Sequence, residues 1–327
     1  MRVRRLILAV DLGATNLRLG VFDIEKSRFV ARAVQRTNVS QGPEAISSQI
    51  VEAARHVLGE AKFAIQEIEG VGVVAPGPLD LKRGGIVRSV NIPYDFVPVK
   101  EPLEEKLKKP VYFMHDAKAS AMAEYMFGAG KTIGTEYLVF ITISTGIGGG
   151  IVDGGRLVIG VDGNAGEIGC ITVDYRGKMR CGCGSYGHWQ AYASGAAIPR
   201  YVKHLVEEEG LRFEQDSPLV KATQNLASLS ADKLYQSART DPTAMKIVEE
   251  LATINAAGVA NVINAVNPEV VTLGGSIVLN NLDLTIDKIA PRMNNFLRVR
   301  APTLLPTPLG GDIGIYGAVA SALSQKT

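Results

Sequence analysis

The chain has 327 residues, 46% of them hydrophobic, which is long enough for two domains with separate cores. Its 35 Lys and Arg against 33 Asp and Glu leave a formal charge of +2, with no basic stripe to favour a nucleic-acid partner. The longest apolar runs are strand-sized, short of the roughly 20 residues a membrane-spanning helix needs. The basic start Met1–Arg5 leads into an apolar run cut by Asp11, too short for a secretory signal, so a cytoplasmic location is expected. Three cysteines cannot all pair with one another, which argues against a disulfide framework.

In chain order, Leu6–Val10, Leu17–Phe22 and Phe29–Val34 read as successive strands. Pro43–Leu58 has near-helical apolar spacing, and Ile68–Ala75 is a strand ended by Pro76, Gly77 and Pro78. A short helix over Leu103–Lys108 and a strand over Val111–Met114 follow. Asp116 then opens an Ala-rich helix to about Phe127, stopped by Gly128 and Gly130. The pattern restarts with strand Tyr137–Ile143, a glycine-rich turn, strand Gly148–Val152 and strand Arg156–Ile159. That recurrence predicts a domain boundary near residues 118–135. Helices are expected over Ala196–Glu208, over Asp241–Val266 with Asp241 as cap and Pro242 in its first turn, and over Ile315–Leu323. Val270–Leu273 is a strand ended by Gly274, Gly275 and Ser276. No low-complexity linker separates the halves, so the two domains are expected to face each other across a hinged cleft.

Two turns stand out: Asp11-Leu-Gly-Ala-Thr-Asn16 and Ile143-Ser-Thr-Gly-Ile-Gly-Gly-Gly150, each between two strands. Glycine-rich tips expose backbone N–H groups and small hydroxyls, which suits a phosphate. Asp11 is either a turn residue or, beside Thr15 and Asn16, a carboxylate able to hold hydrated Mg²⁺. Asp116 is either a helix cap or a general base for a hydroxyl attacking a γ-phosphoryl group. The three cysteines fall close together at Cys170, Cys181 and Cys183, with His188 following. They are either small buried residues or, given the glycines around Cys181 and Cys183, a Cys₃His zinc set.

Taken in order, these motifs resemble the ROK family of sugar kinases and repressors, within the actin/hexokinase-like ATPase superfamily. The resemblance covers nearly the whole chain. Besides the two turns it rests on Val74-Ala-Pro-Gly-Pro-Leu-Asp80, His115-Asp116, Gly163-Asn-Ala-Gly-Glu-Ile-Gly169, Cys181-Gly-Cys-Gly-Ser-Tyr-Gly187, Ala193-Ser-Gly195 and Asn267-Pro with Leu273-Gly-Gly275. It implies an α/β fold of two actin-like (ribonuclease H-like) domains, each a mixed sheet with flanking helices. Residues 1–118 plus 309–327 would form the smaller domain, and residues 119–308 the larger, with a zinc loop over 170–188. The implied activity is ATP-dependent transfer of phosphate to the 6-hydroxyl of glucose or a related hexose, with Asp116 as base. Asp11, Gly13, Thr15, Asn16, Thr145, Gly146 and Gly148 would hold the phosphates and Mg²⁺, and Gly274 and Gly275 would lie near the adenosine. Gly77, Asn91, His115, Asp116, Glu167 and Gln190 would meet the sugar, and Cys170, Cys181, Cys183 and His188 would hold structural zinc. A homodimer or larger homo-oligomer is implied, with no nucleic-acid or membrane partner.

Four positions depart from the family pattern. His115 stands where Asn is usual, Cys170 where His is usual, His188 where Cys is usual, and Gln190 where Glu is usual. The exchange at 170 and 188 keeps a Cys₃His set. It also alters the end of the pocket that meets the sugar's C1 and C2, so kinases for mannose, fructose, glucosamine or an N-acetylhexosamine are the alternatives. A sugar-responsive repressor is a further one, disfavoured because only five residues precede the first strand and none forms a basic helix.

Overall fold

The computed structural model describes residues 5–88 and 92–325, and Asn91, one of the expected sugar contacts, lies outside the described residues. The chain divides into two compact units, Met1–Lys131 with Asp312–Thr327, and Thr132–Gly311.

In the first unit, β1 (Leu6–Leu12), β2 (Asn16–Asp23) and β3 (Arg28–Arg36) form an antiparallel meander. The chain continues through α1 (Pro43–Glu60) and β4 (Ile68–Ala75). A small sheet of β5 (Leu79–Asp80), β6 (Gly85–Val87) and β7 (Phe96–Pro98) precedes α2 (Lys100–Leu107), β8 (Val111–His115) and α3 (Asp116–Phe127). The main sheet runs β3-β2-β1-β4-β8, with β1, β4 and β8 parallel. β1 is central and buried on both faces, which is why its sequence is continuously apolar from Leu6 to Val10. Leu6, Leu8 and Val10 belong to one core cluster with Ile46, Ile50, Ala54 and Val57, the apolar stripe of α1.

The C-terminal helix Ile313–Ser324 covers the sheet beside α3. Gly72 in β4 permits this, since a Cβ there would overlap the backbone of Ala318. A Cβ at Gly317 would sit 3.1 Å from Ala119, so small residues bring the two helices together. That packing holds α3 in the first unit, whereas a boundary at residue 118 would have assigned it to the second.

The second unit repeats the order with β9 (Leu138–Ile143), β10 (Ile147–Asp153), β11 (Arg156–Leu157), β12 (Val270–Gly274) and β13 (Thr303–Pro306). Its sheet runs β11-β10-β9-β12-β13, again an antiparallel meander followed by two parallel strands. Val139, Ile141 and Ile143 share a core cluster with Ile247, Leu251, Val259 and Ile263 of the long helix Pro242–Val266. Asp241 caps that helix as expected, accepting from the N–H groups of Thr243 at 2.9 Å and Ala244 at 3.1 Å. Among the described residues no helix is long and apolar enough to cross a membrane.

Some elements differ from expectation. The helix expected over Ala196–Glu208 runs over Ile198–Glu207, because the Ala197 N–H closes a turn onto the Ser194 carbonyl at 2.9 Å. The short strands β5–β7, strand β13 and helices Pro218–Ala222, Ala231–Ser237 and Ile286–Met293 lacked a long enough periodic pattern to be read.

Candidate active site

Parallel register aligns the catalytic candidates of the first unit. Asp11 pairs with Val74 and Ala75 with His115, so Asp11, the Pro76–Pro78 turn and the His115–Asp116 pair share the C-terminal edge of β1, β4 and β8. Open α/β sheets present their ligand sites at that edge.

The β1–β2 turn carries the first glycine motif. The Gly13 N–H donates to the Asn16 carbonyl at 2.9 Å, and the Thr37 hydroxyl donates to the Gly13 carbonyl at 2.6 Å. Thr15 and Asn16 are exposed at its tip. Asp11 lies just inside, its side chain only 16% exposed, with Arg18 Nη1 at 3.3 Å. On the other side is Gly314 of the C-terminal helix, where a Cβ would fall 2.5 Å from Asp11 Oδ2. Burial pushes the Asp11 carboxyl up to about 6, opposed by Arg18 and reinforced by the negative charge of Asp116.

The cap of α3 is His115 rather than Asp116. The Ala117 N–H donates to His115 Nδ1 at 3.2 Å, and Asp116 is the first helical residue, its Oδ1 taking the same N–H at 2.6 Å. The Asp116 side chain is 43% exposed, so a carboxylate oxygen can still meet an incoming hydroxyl. The imidazole of His115 lies against Gly77, where a Cβ would come within 2.8 Å of Nε2. Position 77 therefore has to be glycine while His115 holds this pose.

In the second unit the β9–β10 turn carries the second motif. The Ser144 N–H donates to the Gly146 carbonyl at 2.9 Å, while Gly195 and Ala196 donate to the Ser144 and Thr145 carbonyls at 2.7 and 3.1 Å. Thr145 and Gly146 are exposed and Gly148 is half-buried. β12 pairs with β9 as far as Gly274 opposite Thr142, which sets Gly274 and Gly275 beside the turn. Gly275 has φ +90°, a conformation that favours glycine, and Ser276 Oγ lies 3.1 Å from Ser144 Oγ. Glu167 is exposed on a loop held to β10, where a Cβ at Gly166 would come 3.1 Å from the Gly149 carbonyl.

The sulfur atoms of Cys170, Cys181 and Cys183 and a ring nitrogen of His188 lie within 4.8 Å of one another. Tetrahedral zinc with Zn–S bonds near 2.3 Å would space its ligands roughly 3.8 Å apart, so the group has the right size and donor set. Its chemistry also fits a cation. Burial first, and then the neighbouring Cys183 and Cys181 thiols, push Cys170 up to about 12. At Cys183 burial opposes ionisation, but hydrogen bonds from Ser185, Cys181 and Cys170 outweigh it and hold the thiol below its ordinary value. A cation would relieve the repulsion among crowded thiolates. Two bridges, Thr172 with His188 and Arg180 with Tyr186, fold the intervening loop back on itself. Trp189, fully buried, ties it to the long helix by an Nε1–H bond to Asn255 Oδ1 at 2.8 Å.

Three further contributors carry little or no local sequence signal. Arg18 was discoverable, because hairpin register places it opposite Asp11. Gly314 and the Trp189–Asn255 pair depend on contacts between distant segments and left no local signal.

The ROK family model matches residues 7–325. A glucokinase of Pyrobaculum calidifontis is 33% identical, over 98% of this chain and 95% of its own length. The ROK hexokinase structure from Thermus thermophilus superposes with a TM-score of 0.82 at 33% identity, covering 98% of this chain and 99% of that one. A ROK family glucokinase from Streptomyces griseus, solved with glucose and AMPPNP, gives a TM-score of 0.74 at 31% identity, covering 98% and 100%. With its two like sheets and its motifs in order, this actin-like chain belongs to the ROK family.

Proposed function

We propose that the protein is an ATP-dependent glucokinase, transferring the γ-phosphoryl group of ATP to the 6-hydroxyl of glucose. The observation that carries this is the pair of exposed glycine turns at equivalent hairpins of two like sheets, with half-exposed Asp116 at the end of β8. The relatives named as glucokinases support glucose as the acceptor.

In this reading the N–H groups and hydroxyls of Gly13, Thr15, Asn16, Thr145, Gly146 and Gly148 cradle the phosphates, and Gly274 and Gly275 leave room for adenosine. Asp11 anchors the hydrated Mg²⁺ of the nucleotide, whose charge offsets that of the phosphates when it is bound. Gly77, Asn91, His115 and Glu167 orient the sugar, while Gln190, expected beside them, turns its amide nitrogen to the Cys170 and Cys181 sulfurs, and Asp116 takes the 6-hydroxyl proton as the oxygen attacks. Most of the acceleration comes from positioning and charge neutralisation. Cys170, Cys181, Cys183 and His188 hold a structural zinc, since four protein ligands leave no position open for chemistry. The ATP donor is a cytoplasmic metabolite, and the family resemblance supports a homo-oligomer.

The test is ADP release measured on a panel of glucose, mannose, fructose, glucosamine and N-acetylhexosamines. Glucose should give the highest kcat/KM. Asp116→Asn should lower kcat at least ~100-fold, in the range for losing a positioned base, with the far-ultraviolet spectrum unchanged. Near-normal turnover in that variant would remove Asp116 from the mechanism, and another preferred sugar would correct the acceptor.

A further inference from the structure

Gln190 opens the short helix Gln190–Ala193, and its side chain faces the Cys/His group. Its Nε2 lies 3.3 Å from Cys170 Sγ and 3.3 Å from Cys181 Sγ. A carboxamide carries two N–H donors on one nitrogen, so both sulfurs can be served at once. The other end of the amide faces backbone without side chains: Oε1 would be 3.3 Å from a Cβ at Gly169 and 3.8 Å from one at Gly146. The orientation follows from charge, because a metal-bound thiolate accepts hydrogen bonds and would repel an amide oxygen.

We infer that Gln190 is a positioning residue for the metal group, donating one hydrogen bond to each of the Cys170 and Cys181 thiolates. The inference rests on the reading of this group as a zinc site and adds what the amide does there. Three thiolates and one imidazole around a dication leave a net charge of −1. A glutamate at 190 would place a second negative charge against two of those sulfurs, whereas glutamine spreads their charge through N–H···S bonds. Partners of this kind hold ligands in place and commonly change metal affinity by roughly 10–100-fold. With Cys at 170, a sulfur occupies the place beside residue 190, and sulfur calls for a donor.

The test compares the wild type with Gln190→Met, similar in length and without a donor, and Gln190→Glu, of nearly the same shape but acceptor-only. Zinc affinity is read by competition with a chromogenic chelator, and the cobalt-substituted proteins are compared by their sulfur-to-metal charge-transfer band. Both variants should lose roughly 10–100-fold in affinity, Glu more than Met, and the band should move to longer wavelength as the sulfurs lose their donors. A general loosening of the loop would weaken affinity without moving the band. Affinities within threefold of wild type together with an unmoved band would overturn the inference even if one variant folds poorly, since the other carries the comparison. A wild-type protein that takes up neither zinc nor cobalt would instead remove the zinc reading itself, and the role of Gln190 with it.

Discussion

Replacing Asp11 with Asn should make the nucleotide-free protein more stable at alkaline pH while abolishing its activity. The carboxyl rises from its ordinary 3.8 to about 6, chiefly through burial. Each tenfold change in proton affinity is worth about 1.4 kcal/mol, so an ionised Asp11 costs the fold at most ~3 kcal/mol at pH 8. The folded-state value lies above the unfolded one. The favourable contribution of the neutral form is therefore complete below about pH 4 and lost as pH rises through about 6. Asn has the shape of the neutral acid and can still accept from Arg18, so it should retain that contribution at every pH. Urea unfolding of both proteins is the assay. The variant should be more stable by about 2–3 kcal/mol at pH 8, by about half as much near pH 5, and by under about 1 kcal/mol at pH 4. Its kcat/KM for MgATP should fall at least ~100-fold with the loss of the anchor for the nucleotide's cation. A variant less stable than wild type at pH 8, or a difference independent of pH, would refute the reasoning. Either result would mean that Arg18 already compensates the buried charge.

Prolonged treatment with a strong chelator should lower the melting temperature by several degrees, because metal bound only to the folded state stabilises it. The three cysteines should then react with a thiol reagent that they resist in the metal-loaded protein. Asn255→Ala leaves the fully buried Trp189 N–H without its partner and should cost about 1–3 kcal/mol in urea unfolding. Because Trp189 lies between His188 and Gln190, the same variant should also release metal faster to the chelator.

What was legible in the sequence was local. The glycine tips and the Asp241 cap declare themselves within a few residues and the Cys/His group within one loop; the structure forms both hairpins and the cap, and it brings the four ligand atoms within 4.8 Å of one another. Strands of two or three residues such as β5 and β6 carry no detectable period, so the small sheet was invisible. Asp116 opens α3 as expected, but of its two readings the cap belongs to His115: both residues offer acceptors to the Ala117 N–H, and composition alone favours the aspartate. The environment of Asp11 depends on Gly314, which arrives from the far end of the chain. The orientation of Gln190 depends on how the loop before it folds back through the Thr172–His188 bridge.

One electrostatic rule accounts for both groups of acids proposed to meet a cation. Asp11 is buried beside Arg18 with Asp116 close enough to raise it, and Cys170 is buried beside two other thiols. In each case burial and like charge push the acid toward its neutral form, which makes the ionised group costly for the fold. Nearby donors offset only part of that cost, Arg18 in the first case and Gln190 in the second. A bound cation would reverse the sign in both, since it is attracted by the same crowded negative charge that the protein alone disfavours. If Asp11 anchors the nucleotide's cation as proposed, binding and stability are opposed there: a neutral substitute should gain stability and lose the ion. At the cysteines they would be aligned, because four ligands enclosing a zinc ion would turn its binding energy into folding energy. Removing the charge at residue 11 should accordingly raise stability and lower activity. Removing a ligand at 170, 181, 183 or 188 should lower both.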